Sequence, residues 1–361
     1  MSVPYRGLLP LLLVALVGCD SGEDSPPAGY TVAVTAEGLS GPLQVQNNRG
    51  NTLNIPANGH FRFTGRVQHG GAYDVTVLLP PAGQACGVQR GNGHAVADVV
   101  DVRVVCVPTG ALLNDTGVDW CADATQNRLS CPVSGLPLQD AERGRDARAT
   151  AGTLLKVGSG RAGFDFLKLR ANGRPLVIQD VAWSETGSES AGSRWSCVRD
   201  NHTGLYWEVK NNDPASLHYH ASTYTWYNTD PSSNGGTSGT AAGGTAAGGT
   251  CSVGTCDTQS FVAAVNAAGL CGFNDWRLPS PREAETIVDF GLSQPAIDTH
   301  FFPHVSSNQN PGSTPHIYYW TGMPQASYTN TALAMRMDFG NTHSLFSTVM
   351  AFHVRLVRSA P

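Results

Sequence analysis

Asn274-Asp275-Trp276-Arg277-Leu278-Pro279-Ser280-Pro281-Arg282-Glu283 is a stretch in which almost every residue dictates local structure. Ser280 followed three residues later by Glu283 is a capping box, and Pro281 stands at the first helical position, where its missing N–H does no harm. The spacing predicts a helix through Ala284, Ile287 and Val288 that stops at Gly291. Upstream, Asp257 caps a second helix over 258–268, with Phe261, Val265 and Ala268 on one face and Gly269 as its stop. Between the two helices, Trp276 and Arg277 read as fold-making residues, Arg277 tying the turn to a carboxylate or to backbone carbonyls. Residues 231–250 are a Gly/Thr/Ala/Ser tract that cannot bury a core and reads as a flexible surface loop.

From Tyr30 to Val107 the texture changes to alternation. Val32 and Val34, Leu43 and Val45, Phe61 and Phe63, Val75 and Val77, and Val102 and Val104 each stand two apart. Turn residues at Asn47-Asn48-Arg49-Gly50, Asn58-Gly59 and His69-Gly70-Gly71 separate the runs. The pattern predicts a small antiparallel β-sandwich over 30–107, with Cys86 and Cys106 tied together. The segment also resembles an immunoglobulin-like module, through Val45-Gln46-Asn47-Asn48, Asn58-Gly59-His60-Phe61 and Pro81-Ala82-Gly83-Gln84-Ala85-Cys86. A spacer role follows from that likeness.

The N-terminus carries Arg6, an apolar run over 7–17 and then Leu16-Val17-Gly18-Cys19. The run is about half of what a bilayer-spanning helix needs, so residues 1–18 read as a signal peptide with a lipobox. Acyl chains on Cys19 would anchor the mature chain to a membrane of the bacterial envelope, with residues 19–29 as a tether. Eight cysteines remain, an even number in an exported chain, which predicts disulfides rather than metal or redox chemistry. Cys121 pairs with Cys131 by proximity. Cys256 and Cys271 flank a helix about 16 Å long, too far for a bridge. The favoured pairs are therefore Cys251 with Cys256 and Cys197 with Cys271; Cys197 with Cys256 and Cys251 with Cys271 is the alternative. With 23 Lys+Arg against 28 Asp+Glu, the chain is not built to bind nucleic acid nonspecifically.

Trp195-Ser196-Cys197-Val198-Arg199-Asp200-Asn201-His202-Thr203-Gly204-Leu205-Tyr206-Trp207-Glu208, Asn266-Ala267-Ala268-Gly269-Leu270-Cys271-Gly272, Asp275-Trp276-Arg277-Leu278-Pro279, Tyr319-Trp320 and Val354-Arg355-Leu356-Val357-Arg358 together resemble the Lcl C-terminal domain family, named for a collagen-like bacterial adhesin. The likeness runs over most of 110–361. The turn, capped helix and terminal strand also resemble the formylglycine-generating enzyme group, whose scaffold is C-type-lectin-like. These resemblances imply an α+β fold class: a β-sandwich, then over 108–361 a C-type-lectin-like domain with two helices and a loop-rich sheet.

No nucleophile elbow, phosphate loop or zinc-protease helix is present. His218 and His220 alternate on a possible strand, and His300, His304 and His316 share a loop-rich stretch, but none has a third ligand at a persuasive spacing. Gln294-Pro295-Ala296 lacks an oxygen that lectin-type calcium chemistry uses, and Asp119, Asp123, Asp289 and Asp298 suit turns and caps. Catalysis, metal and cofactor are not expected. Aromatics are plentiful for so polar a region, and Trp226, Tyr227, Tyr318 and Trp320 are the expected ligand-binding platform. The sequence thus predicts an envelope lipoprotein that presents its C-terminal domain to a glycan or protein. A structural lipoprotein without a soluble ligand is the competing reading, and an oxidase-like enzyme a more distant one.

Overall fold

The computed structural model describes residues 29–109, 113–241, 249–251, 255–305, 318–325 and 327–359, the side chains of 342–345 excepted. Residues 1–28, with the leader and Cys19, lie outside the described residues, as do 242–248 of the Gly/Thr-rich tract and His316.

Eight strands come first: β1 (Val32–Glu37), β2 (Leu43–Asn47), β3 (Asn51–Ile55), β4 (Gly59–Arg62), β5 (Ala72–Leu79), β6 (Gln84–Gln89), β7 (Asn92–His94) and β8 (Val99–Pro108). They form two four-stranded sheets, ordered β4-β1-β8-β6 and β3-β2-β5-β7. Because side chains on a strand alternate faces, Val32, Val34 and Ala36 from one sheet meet Leu43, Val45 and Ile55 from the other in a single core. The turn between β2 and β3 works because Asn48 and Arg49 both adopt positive φ, 52° and 60°, as a tight hairpin demands. One expectation is corrected here: β1 and β8 run parallel, with Val34 beside Val102, so the first sheet is mixed rather than antiparallel.

The remaining elements are α1 (Gly144–Thr150), β9 (Phe166–Leu169), β10 (Cys197–Asp200), β11 (Tyr206–Glu208), α2 (Thr258–Ala268), α3 (Pro281–Glu285), β12 (Tyr318–Pro324), β13 (Thr331–Arg336), β14 (Asn341–Ser347) and β15 (Val357–Arg358). They build a sheet ordered β15-β11-β10-β9 and a meander ordered β12-β13-β14. Among the described residues strand outweighs helix 32% to 10% and four sheets form, so the structure is mostly β. The expected α+β class is overturned, and the two-domain C-type-lectin-like layout is not confirmed. Two well-marked helices outweighed strands whose residues are buried on both faces, as in β9, where no period-two signal survives.

The capped helices form where they were read, with one boundary moved. Asp257 accepts from Ser260 N, and Gly269 ends α2 at φ 66°. The capping box of Ser280 and Glu283 starts α3, but the helix stops at Glu285, and the amide and hydroxyl of Thr286 both donate to the Glu283 carbonyl, the hydroxyl from 2.7 Å. Ile287 and Val288 are still buried, in the turn that follows.

The stretch from 274 to 283 joins these pieces. Trp276 is buried, donating from Nε1 to the Leu270 carbonyl, while Asn266 clamps both backbone groups of Trp276. Arg277 forks onto Glu283 at 2.8 and 2.6 Å, and its backbone bridges Val357. Asp275 holds Arg358, whose guanidinium lies 3.8 Å from the Phe273 ring centroid.

A candidate ligand cleft

The four disulfides are Cys86–Cys106, Cys121–Cys131, Cys197–Cys271 and Cys251–Cys256. Cys197–Cys271 shapes a cleft in the C-terminal region. It draws the left-handed turn after α2, where Cys271 itself has φ 54°, against the first residue of β10. Above this floor opens a cleft of about 510 Å³.

One wall is aromatic. Trp195 is buried and donates from its indole to the Phe301 carbonyl. Trp183 packs edge-on against it at 4.9 Å and remains partly open to solvent. Lys168 holds this wall from behind: its ammonium lies 4.0 Å from the Trp195 ring and donates to the Val181 carbonyl. Burial lowers the Lys168 pKa to about 8, against the pull of Asp298 and Asp180. Arg194 stacks over Trp183 at 5.6 Å.

Polar groups converge around the indole. Glu189, Arg194, Asn211 and His218 all line the cleft. His218 Nδ1 lies 2.7 Å from Glu208, a fully buried carboxylate that also takes Lys210 Nζ and the Leu356 amide. Burial drives the Glu208 carboxyl upward, but Lys210 and the His218 hydrogen bond overcome that and leave it at about 2. A fixed charge therefore orients His218 at the cleft edge. Beyond it, His304 Nε2 lies 2.6 Å from a Glu185 carboxylate oxygen, and its ring stacks on His220 at 5.5 Å.

The expected aromatic platform is corrected. Trp226 and Trp320 are buried, donating to the Thr321 and Tyr224 carbonyls, and cannot offer an exposed face. Tyr318 is partly buried and packs on Phe346 and Phe352, while Tyr227 is partly exposed and stands apart from the cleft. The alternation of neighbouring aromatics was a core signal. Trp183 was missed; its signal was an aromatic just before the polar run Ser184-Glu185-Thr186-Gly187-Ser188, and it packs on the edge of the core with part of its ring open to solvent.

The aspartates weighed for calcium are occupied. Asp119 and Asp289 clasp Arg161, Asp123 closes a turn onto Thr125 and Gln126, and Asp298 accepts from the His300 amide. Burial raises Asp289 to about 6 despite Arg161. Among the described residues no group of three His, Cys, Asp or Glu is placed to hold a metal ion, and none of the described helices is long and apolar enough to cross a membrane.

The family model described as the Lcl C-terminal domain matches residues 196–358. The match takes in β10, the disulfide floor and His218, while Trp183 and Arg194 come from just upstream of it. No curated protein and no solved structure matches the chain.

Proposed function

We propose that this chain, whose residues 196–358 form an Lcl C-terminal domain, is an adhesin-type surface protein that binds a glycan in the Trp183 cleft. Acyl chains on Cys19 hold it to the envelope in this reading, and the β-sandwich sets the cleft away from the membrane. The observation that supports it is the convergence of a partly open indole with Glu189, Arg194, Asn211 and His218 around about 510 Å³. A sugar ring lays its C–H face on such an indole, and its hydroxyls need donors and acceptors already held in place. Both signs of charge line the cleft, and the chain is acidic overall, which suits a neutral or weakly charged glycan. The reading assigns no catalytic residue.

The test is a glycan array probed with the soluble protein and with Trp183→Ala, with mass spectrometry of the native N-terminal peptide reporting the anchor. Binding should be weak and should vanish in a Trp183→Ala variant that keeps its far-ultraviolet circular dichroism and its melting temperature. Silence across the array supports the structural-lipoprotein reading, and undiminished binding by the folded variant removes the cleft from consideration.

A further inference from the structure

A second cleft, of about 820 Å³, opens between the β-sandwich and the C-terminal region and shares no residue with the first. Its sandwich wall comes largely from β5, β6 and β7, and its opposite wall from Arg170, residues 173–177 and Arg199. Arg49, Arg90, Arg170, Arg174 and Arg199 line it against a single carboxylate, Asp74. In a chain of net charge −5 this is a concentrated island of positive charge.

These guanidinium groups are poorly neutralised. Among the described residues only Arg90 of the five has an ion pair, with Asp101 at 3.8 Å, and both of those side chains are largely in water. Among the described residues, the guanidinium groups of Arg49, Arg170, Arg174 and Arg199 make no hydrogen bond or ion pair; that of Arg199 has only the Tyr206 ring, 5.8 Å away. The Nε atoms of Arg170 and Arg199 are buried without a partner. Buried donors left open are rare in folded proteins, and a ligand that completes them recovers their lost hydrogen bonds.

Two other features narrow the ligand. The same walls expose Leu78 and Val177, at 48% and 46%. β6 and β7 are the end strands of their sheets. A wholly polar anion would leave the apolar side chains wet and the strand edges unused. An extended peptide can instead lie along a sheet edge, sending alternate side chains to opposite sides. The charged lining contains arginine and no lysine, and arginine forks match carboxylates in a two-point geometry.

We propose that this cleft binds an extended acidic segment of a partner protein, its carboxylates on the arginines and its intervening apolar residues on Leu78 and Val177. The test is fluorescence anisotropy with the purified protein and three probes: a peptide of alternating Glu and Val, its Lys/Val counterpart, and labelled dextran sulfate. The Glu/Val peptide should bind, with affinity falling as salt rises, and the Lys/Val peptide should not. Arg49→Glu with Arg174→Glu, two exposed positions on opposite walls, should weaken binding at least about tenfold without altering the fold, as reversal of contacting charges does. Equal binding of the Lys/Val peptide, indifference to the double charge reversal, or binding of dextran sulfate alone overturns the proposal.

Discussion

Glu208 shows how one residue can be committed to a fold by its partners. Its carboxylate is fully buried and receives Lys210 Nζ at 2.7 Å, His218 Nδ1 at 2.7 Å and the Leu356 amide at 3.0 Å. With its pKa held at about 2, below the ordinary value of about 4.3, it contributes stability that is present above the ordinary value. That contribution is lost as pH falls toward 2. Removing one partner strands the charge: Lys210→Met should destabilise the protein by about 3–5 kcal/mol, whereas Glu208→Gln with Lys210→Met should recover at least half. Urea denaturation at neutral pH measures both, and additivity of the two single variants would refute the coupling. In sequence Glu208 and Lys210 are merely two charges two apart. Nothing local shows that both side chains are inside.

Among the elements, α2, α3 and the strand ending at Arg358 are joined by short-range chemistry and by one long-range bond. The Cys197–Cys271 disulfide spans 74 positions, and Cys251–Cys256 only 5. If cross-links act mainly by restricting the unfolded chain, their loss should cost about 4 and about 2 kcal/mol respectively. Replacing Cys197 and Cys271 with Ala should therefore lower stability by the larger amount and loosen the floor of the Trp183 cleft. Replacing Cys251 and Cys256 should leave the cleft intact. Denaturant titration of the two double variants gives the order, and a larger loss for the short loop would overturn the argument. Helix length explains why the pairing was open to reading: a rigid rod between Cys256 and Cys271 excludes one of the possibilities before any tertiary contact is known.

At the scale of the whole molecule, the sandwich and the C-terminal region meet through a small cluster of Ala85, Val105 and Val107 with Val157 and Leu155. Gly87 makes the approach possible, since a Cβ there would sit 2.3 Å from a Val157 methyl. Gly87→Val should push the regions apart while sparing the sandwich core. Calorimetry should then show two thermal transitions in place of a more closely coupled pair, and an unchanged melting profile would mean that the junction carries little. What the sequence determined by itself is whatever depends on near neighbours: alternating valines and their turns, caps at Asp257 and Ser280, excluded cysteine pairs, and the family motifs. Each is enforced within a few residues by sterics or a local hydrogen bond. The tertiary structure alone decided the mostly-β class, the parallel pairing of β1 with β8, the burial of Trp226 and Trp320, and the meeting of Trp183 with His218 or of Arg49 with Arg199. Those outcomes depend on which distant segments share a face, and a side chain's own sequence context is nearly the same whether that face is covered or left open to water.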